Sequence, residues 1–181
     1  MQMKKEATVA RDVPAREIPS GTPITLRAGD PVIITQSLGG SYTVMTPVGF
    51  LARIDGKDAD AIGEPVATVD AAAQEGRTTE EQAWDQLRTC FDPEIPVNIV
   101  DLGLIYDCTV TDADESGQRQ AQVKMTLTAP GCGMGQVLAD DVKRKLEGLP
   151  GIATADVEVV FDPQWNQNMM SEAARLELGL F

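Results

Sequence analysis

The residue best placed for chemistry is Cys132, in the stretch Thr128-Ala-Pro-Gly-Cys-Gly-Met-Gly135. Gly131 and Gly133 flank it, so the backbone can turn tightly with little side-chain bulk around the sulfur. A helical pattern over Gln136–Glu147 follows, and a thiol just before a helix N-terminus lies near unpaired amide N–H groups that favour the thiolate. The spacing therefore predicts a site for a soft metal or an electrophile. The alternative is that Cys132 is one more small core residue.

Carboxylates and a hydroxyl are the next candidates. Asp92 and Glu94 share one proline-containing loop, and a carboxylate there could bind a hard iron site or serve as a base if the fold brings the loop to the thiol. The alternative is a helix stop with solvated acids. Asp101 precedes a strand, where stabilising the turn is its expected role. Thr128 is close enough in sequence to hydrogen-bond the cysteine turn.

Cysteine and histidine counts exclude several classes of site. The three cysteines contain no CxxC pair, so neither a disulfide framework nor a dithiol redox motif is present. One chain also holds fewer than the four thiolates that usually bind an iron–sulfur cluster. Cys90 and Cys108 lie within apolar patterns and are predicted to be core residues. Because the chain has no histidine, triads, Cys-His dyads and imidazole metal sites are excluded.

The charge of the chain limits its partners. The net charge of −13 argues against nucleic acid and against anionic membrane surfaces, since both present phosphate. Basic protein surfaces or cations are the expected partners. No apolar run approaches the length of a membrane span and no signal peptide is evident at the first residues, so the cytoplasm is the expected location.

Turn residues and periodicity divide the chain into four parts. A flexible tail is predicted over residues 1–10, a small antiparallel β module over 11–70, a linker over 71–77 and an α/β domain over 78–181. In the β module, Gly39-Gly40 between two strand-like runs is an ordinary hairpin signal.

The second domain is predicted as helix, strand, strand, helix, strand, helix. Thr78 and Glu81 have the spacing of a capping box and open the first helix. The first two strands should pair antiparallel, and the crossover through the helix after Cys132 should add the third strand in parallel. The predicted fold class is therefore α/β (α+β), with a small mixed β-sheet packed with helices. Cys132 would lie at the carboxyl end of a strand, where ligands commonly bind.

Four ordered motifs resemble the PaaD-like family of iron–sulfur assembly proteins. They are Asp92-Pro-Glu-Ile-Pro-Val, Asp101-Leu-Gly-Leu-Ile-Tyr106, Leu127-Thr-Ala-Pro-Gly-Cys132 and Phe161-Asp-Pro-Gln-Trp165. The resemblance covers residues 79–181, and the β module looks like the N-terminal extension of one branch of the family. It implies an accessory role in the SUF pathway, with Cys132 as the reactive cysteine. Asp92 and Glu94 match the family's acidic motif, and Asp101 and Thr128 match other recurring positions.

Three functions are compatible with these observations. The first is a non-enzymatic maturation factor whose Cys132 thiolate transiently holds iron or an iron–sulfur cluster. Its other ligands would come from a second subunit, a client or a small thiol, and a homodimer is one way to share a cluster. The second is an adaptor that links SUF scaffold proteins to apo iron–sulfur client enzymes without binding metal. The third is a cysteine-dependent hydrolase or redox enzyme, which would need a base or a resolving thiol.

Overall fold

The structure is a computed structural model, and it describes residues 4–66, 75–92 and 95–180 of the chain. The chain divides into two compact units, Met1–Thr68 and Val69–Phe181. The first is a β unit and the second combines helices with a three-stranded sheet. The predicted mixed α+β fold class is confirmed. Most of the linker predicted over residues 71–77 lies outside the described residues. Among the helices of the described segments, none is long and apolar enough to cross a membrane.

The first unit is one antiparallel sheet with strand order β1-β4-β5-β6-β2-β3. Its backbone turns between β4 and β5 at Gly39 and Gly40, which have φ of 58° and 74°. Positive φ at both positions is typical of a tight hairpin turn, as the sequence predicted. A 3-10 helix, Gly56–Ile62, follows the last strand. The strands are β1 Lys5–Thr8, β2 Val13–Ile18, β3 Pro23–Leu26, β4 Pro31–Leu38, β5 Ser41–Met45 and β6 Leu51–Ile54.

The prediction of a flexible tail over residues 1–10 is wrong for residues 5–8. These residues form β1, which pairs antiparallel with β4. Val9, directly after β1, is 1% exposed, and its N–H donates to the Asp30 carbonyl at 2.9 Å. The residues of β1 itself are largely exposed, so the strand is held by main-chain pairing to the edge of β4. Because β1 buries almost no side chain, its sequence carries no apolar alternation that could have revealed it.

The second unit has the predicted order of elements. Strand β7 pairs antiparallel with β8, and β9 adds to β8 in parallel. Helix α1 begins with the predicted capping box, because the Glu81 N–H donates to Thr78 Oγ1 at 3.2 Å and the Thr78 N–H donates to Glu81 Oε2 at 2.8 Å. The elements are α1 Thr79–Leu87, β7 Ile105–Val110, β8 Arg119–Met125, α2 Gly135–Glu147, β9 Ile152–Val159, a 3-10 helix Gln167–Met169 and α3 Glu172–Glu177.

The three-stranded sheet has one buried face and one polar face. Alternate residues of β8, including Val123 and Met125, are buried in the core with residues from α1 and α2. On the opposite face, Lys124 lies between Asp107 of β7 and Glu158 of β9, and all three are exposed. The helices thus cover one face of the sheet, and the charged side chains of Asp107, Lys124 and Glu158 lie on the other face.

Chain segments distant in sequence meet at one edge of this sheet. Parallel strands β8 and β9 end together, since Met125 is paired with Val159 and the Val160 N–H donates to the Met125 carbonyl at 2.8 Å. Strand β7 runs the other way and begins there, and the Thr126 N–H donates to the Leu104 carbonyl at 2.8 Å. We call this edge, where β8 and β9 end and β7 begins, the carboxyl edge.

Candidate functional site

Cys132 lies in the loop that joins β8 to α2 at the carboxyl edge. Gly131 has φ of 77°, a conformation that strains any residue with a Cβ. The Gly135 N–H donates to the Cys132 carbonyl at 3.0 Å and closes the turn. Helix α2 begins at Gly135, so the cysteine precedes it by three residues, and the thiol is partly exposed. Among the described residues, Cys132 Sγ makes no hydrogen bond, which leaves the sulfur available to a ligand.

The start of α2 adds donors beside this turn. Met134 is the N-cap residue, and no side-chain hydrogen bond caps the helix there. The first-turn N–H groups therefore lack the side-chain acceptor that often satisfies them. Gly135 is buried, and a Cβ at this position would overlap Leu127 Cδ1. The absence of a side chain lets the two ends of the cysteine loop pack closely.

The other two thiols belong to the core, as the sequence predicted. Cys90 is 0% exposed and Cys108 is 3% exposed. The Cys90 thiol donates to the Gln86 carbonyl at 3.6 Å. Burial, with smaller contributions from the Glu80 and Asp107 carboxylates, raises the pKa of the Cys108 thiol to about 11. Of the three cysteines, Cys132 alone combines exposure with a position at a helix start.

This difference predicts the order in which the thiols react. We expect iodoacetamide to modify Cys132 of the native protein about 100-fold faster than Cys90 or Cys108, because the buried thiols react only after local opening. Mass spectrometry of peptides from a time course at neutral pH would measure the three rates. A Cys132 that required denaturant for modification would contradict the assignment.

The predicted pair of carboxylates is only half described. Asp92 follows α1 and is 8% exposed, and its carbonyl accepts a hydrogen bond from the Ile95 N–H at 3.2 Å. Glu94 lies outside the described residues. The participation of Asp92 and Glu94 in a site with Cys132 stays a prediction.

The main-chain path from α1 to the sheet is fixed by two contacts. Lys145 Nζ of α2 donates to the Thr89 carbonyl at 2.6 Å, just after α1 ends. The Ile99 N–H then donates to the Cys90 carbonyl at 2.9 Å. These bonds hold both ends of the segment that carries Asp92.

Asp101 and Thr128 have different surroundings. Asp101 lies in a turn, where Asn98 Nδ2 donates to Asp101 Oδ2 at 2.6 Å and the Asp101 N–H donates to Asn98 Oδ1 at 2.9 Å. Turn stabilisation is therefore a role that Asp101 has in this fold, as expected. Thr128 is partly buried. Within the described segments its hydroxyl forms no hydrogen bond, so the expected bond to the cysteine turn is not present.

Residues 165–171, which we call the C-terminal strap, cross the Asp101 turn, and the sequence analysis did not predict this contact. Trp165 Nε1 donates to the Leu102 carbonyl at 2.8 Å, and the Ser171 N–H donates to the Asp101 carbonyl at 2.8 Å. Gly103, with φ of 76°, lies directly beneath the backbone of Met169. The glycine itself signals a turn, but nothing local in the sequence indicates a partner so far along the chain.

Among the described residues, few side chains that could ligate a metal lie close together. No group of three or more cysteine and carboxylate residues lies close enough together in these segments to hold a metal. Among the described residues, the donor that one chain offers at this turn is the partly exposed Cys132 thiol. A single thiol is too few ligands for a closed structural metal site. It is better suited to a metal ion or cluster that other molecules also ligate.

Comparisons with known proteins point to iron–sulfur cluster assembly proteins. A family described as "Iron-sulfur cluster assembly protein" matches residues 80–159. A Porphyromonas gingivalis protein named Fe-S protein maturation auxiliary factor is 46% identical over 101 residues, which are 56% of this chain and 91% of the relative. Bacillus subtilis YitW, of the same description, is 38% identical over 55% of this chain and 93% of its own length. Staphylococcus aureus SufT, also so described, is 40% identical over 50% of this chain and 97% of its own.

These matches take in nearly the whole of each relative but only about half of this chain. The residues matched by the family all fall within the second unit. The first unit lies outside the family match.

Proposed function

We infer that this chain, which belongs to the SufT-like family of iron–sulfur cluster assembly proteins, is an Fe–S protein maturation factor. We propose that its Cys132 thiolate transiently holds iron or a cluster as cargo. The observation that carries the proposal is the partial exposure of one thiol on a glycine-flanked turn, while the other two thiols are buried. The proposed role is accessory and non-enzymatic, and it is supported by relatives that are named maturation auxiliary factors.

The coordination proposed here is open. One thiolate leaves iron or a cluster with unfilled positions, and the remaining ligands would come from an acceptor protein, a small thiol or a second copy of the chain. Incomplete coordination by the carrier suits release, because a receiving protein can replace the shared ligands one at a time. The proposed partners are SUF scaffold proteins and apo client enzymes, in the cytoplasm, where thiols stay reduced.

Anaerobic reconstitution tests the proposal. Wild type, Cys132→Ser and Cys90→Ala would be incubated with iron, sulfide and a small thiol, desalted, and assayed for bound iron and sulfide. We expect Cys132→Ser to fall to the background of a protein without accessible thiols, since a hydroxyl is a poor ligand for these ions. Cys90→Ala is the matched control, because it removes a thiol from the core and should load as wild type does. Equal loading of Cys132→Ser would overturn the proposal.

One observation favours a second function, that of an adaptor. The first unit has its own apolar core, which includes Val13, Val44 and Ile54, and it lies outside the residues that the family match covers. A separate unit of this kind could recognise a scaffold or a client. The adaptor function predicts that Cys132→Ser still supports client maturation in cells, whereas deletion of residues 1–68 abolishes it.

A further inference from the structure

Strand β9 carries apolar side chains that become more exposed toward the carboxyl edge. Ala155 is 3% exposed, Val157 and Val159 are partly buried, and Phe161, two residues beyond the strand, is 44% exposed. Val157 and Val159 pack against the core of the second unit, and Phe161 is not part of that core. We call Val157, Val159 and Phe161 the β9 stripe. Its exposed end is a large aromatic side chain that the fold leaves partly in solvent.

The exposed end of the β9 stripe lies at the same edge as the thiol. Met125 and Val159 are paired in the parallel ladder, and the Val160 N–H donates to the Met125 carbonyl at 2.8 Å. The segment that leads from β8 to Cys132 and the segment that carries Phe161 therefore leave the sheet side by side. Phe161 and the Cys132 turn thus follow the adjacent ends of two paired strands.

The backbone on both sides of Phe161 is anchored. On one side is the Val160 bond to β8. On the other side, Tyr106 Oη donates to the Pro163 carbonyl at 2.6 Å and Trp165 Nε1 donates to the Leu102 carbonyl at 2.8 Å. An aromatic residue on a fixed support loses little conformational freedom when it is buried by a partner. Such residues supply a large share of binding energy in protein interfaces.

The charges near Phe161 indicate which kind of partner can bind there. Asp162, directly after Phe161, is exposed, and Asp156 and Glu158 are exposed on the opposite face of β9. Two copies of the chain meeting through Phe161 would bring their Asp162 carboxylates together, and each copy carries a net charge of −13. Like charges across an interface are unfavourable. A partner with an apolar pocket bordered by lysine or arginine is complementary.

We propose that Phe161 anchors the acceptor apoprotein, which presents an apolar pocket with a basic rim, while that protein takes cargo from Cys132. The inference rests on the proposed function, because it concerns the approach of an acceptor to a loaded thiolate. It adds the recognition surface and the chemistry of the partner. Phe161 makes no contribution to holding the cargo itself.

A transfer assay with increasing acceptor tests the anchor. The full-length protein, loaded anaerobically, would be mixed with apo-aconitase as the acceptor, and recovered aconitase activity would give the half-saturating acceptor concentration. We expect Phe161→Ser to raise that concentration about tenfold, the effect of losing an aromatic anchor, with cargo loading unchanged. Phe161→Leu should lie between the two. Raising the salt concentration should weaken the interaction of wild type, because the proposed rim contacts are ionic.

Val48→Ser is the matched control. Val48 is 79% exposed and lies in the first unit, so the control removes an exposed apolar side chain that does not belong to the β9 stripe. Its half-saturating concentration should equal that of wild type. Circular dichroism of each variant checks that the fold is intact.

The outcomes separate the two proposals. A wild-type protein that loads cargo but passes none to the acceptor would overturn delivery, and the anchor with it. If Phe161→Ser transferred cargo with the same half-saturating acceptor concentration as wild type, Phe161 would not be an anchor. The proposed function would be unaffected by that result. Sedimentation supplies the last test, since a wild-type dimer converted to a monomer by Phe161→Ser would make the stripe a self-interface and overturn the proposal.

Discussion

Gly103→Ala is expected to destabilise the second unit by about 3 kcal/mol or more, through a steric clash added to backbone strain. A Cβ at this position would lie 2.6 Å from the Met169 carbonyl carbon and 2.8 Å from the Met169 Cβ. No rotamer change relieves a collision with main chain. The φ of 76° at Gly103 adds the ordinary cost of a left-handed conformation for alanine. Calorimetry of the full chain would measure the loss.

Gly117→Ala provides the control for this prediction. Gly117 has φ of 79° and no atom within 4 Å of its would-be Cβ. Its substitution should therefore cost about 1 kcal/mol, the strain alone. The difference between the two variants isolates the contact between Gly103 and the strap. Equal losses in both variants would show that the strap does not press on Gly103.

Cys132→Ser is expected to abolish cargo transfer to an acceptor. If the thiolate is the ligand that the carrier contributes, its replacement by a weakly binding hydroxyl leaves nothing to deliver. Recovery of aconitase activity with this variant should fall to the rate obtained with free iron and sulfide alone, a loss of about 100-fold or more if carrier-bound cargo dominates delivery. Timed assays with a chelator present would separate carried from free iron.

Cys90→Ala accompanies this measurement as its control. The variant keeps the exposed thiol and removes one from the core, so transfer should stay within about twofold of wild type despite some loss of stability. If Cys132→Ser transferred cargo as well as Cys90→Ala, the thiolate would have no part in delivery.

The sequence predicted the elements whose side chains show a clear period. The capping box at Thr78 and the alternation in β8 depend on neighbouring residues, and both are present in the structure. The parallel addition of β9 was predicted because a helical crossover between two strands leaves few alternatives. The cysteine turn was predicted because its glycines and proline determine the backbone conformation locally.

Features that depend on distant main-chain contacts were not predicted. Strand β1 is held by pairing with β4, and the strap is held by bonds from Trp165 and Ser171 to the Asp101 turn. None of these contacts requires a particular side-chain period. The exposure of Phe161 depends on where the core ends, and that boundary is a property of the packed domain.

The division into two units has a spectroscopic consequence. Both tryptophans of the chain, Trp84 and Trp165, belong to the second unit. Indole emission therefore follows the melting of that unit alone, and the β unit can unfold without a signal at those wavelengths. A single midpoint for the whole polypeptide is not a defined quantity when two cores melt separately. Fluorescence compared with calorimetry would assign each heat-absorption peak to its half of the molecule.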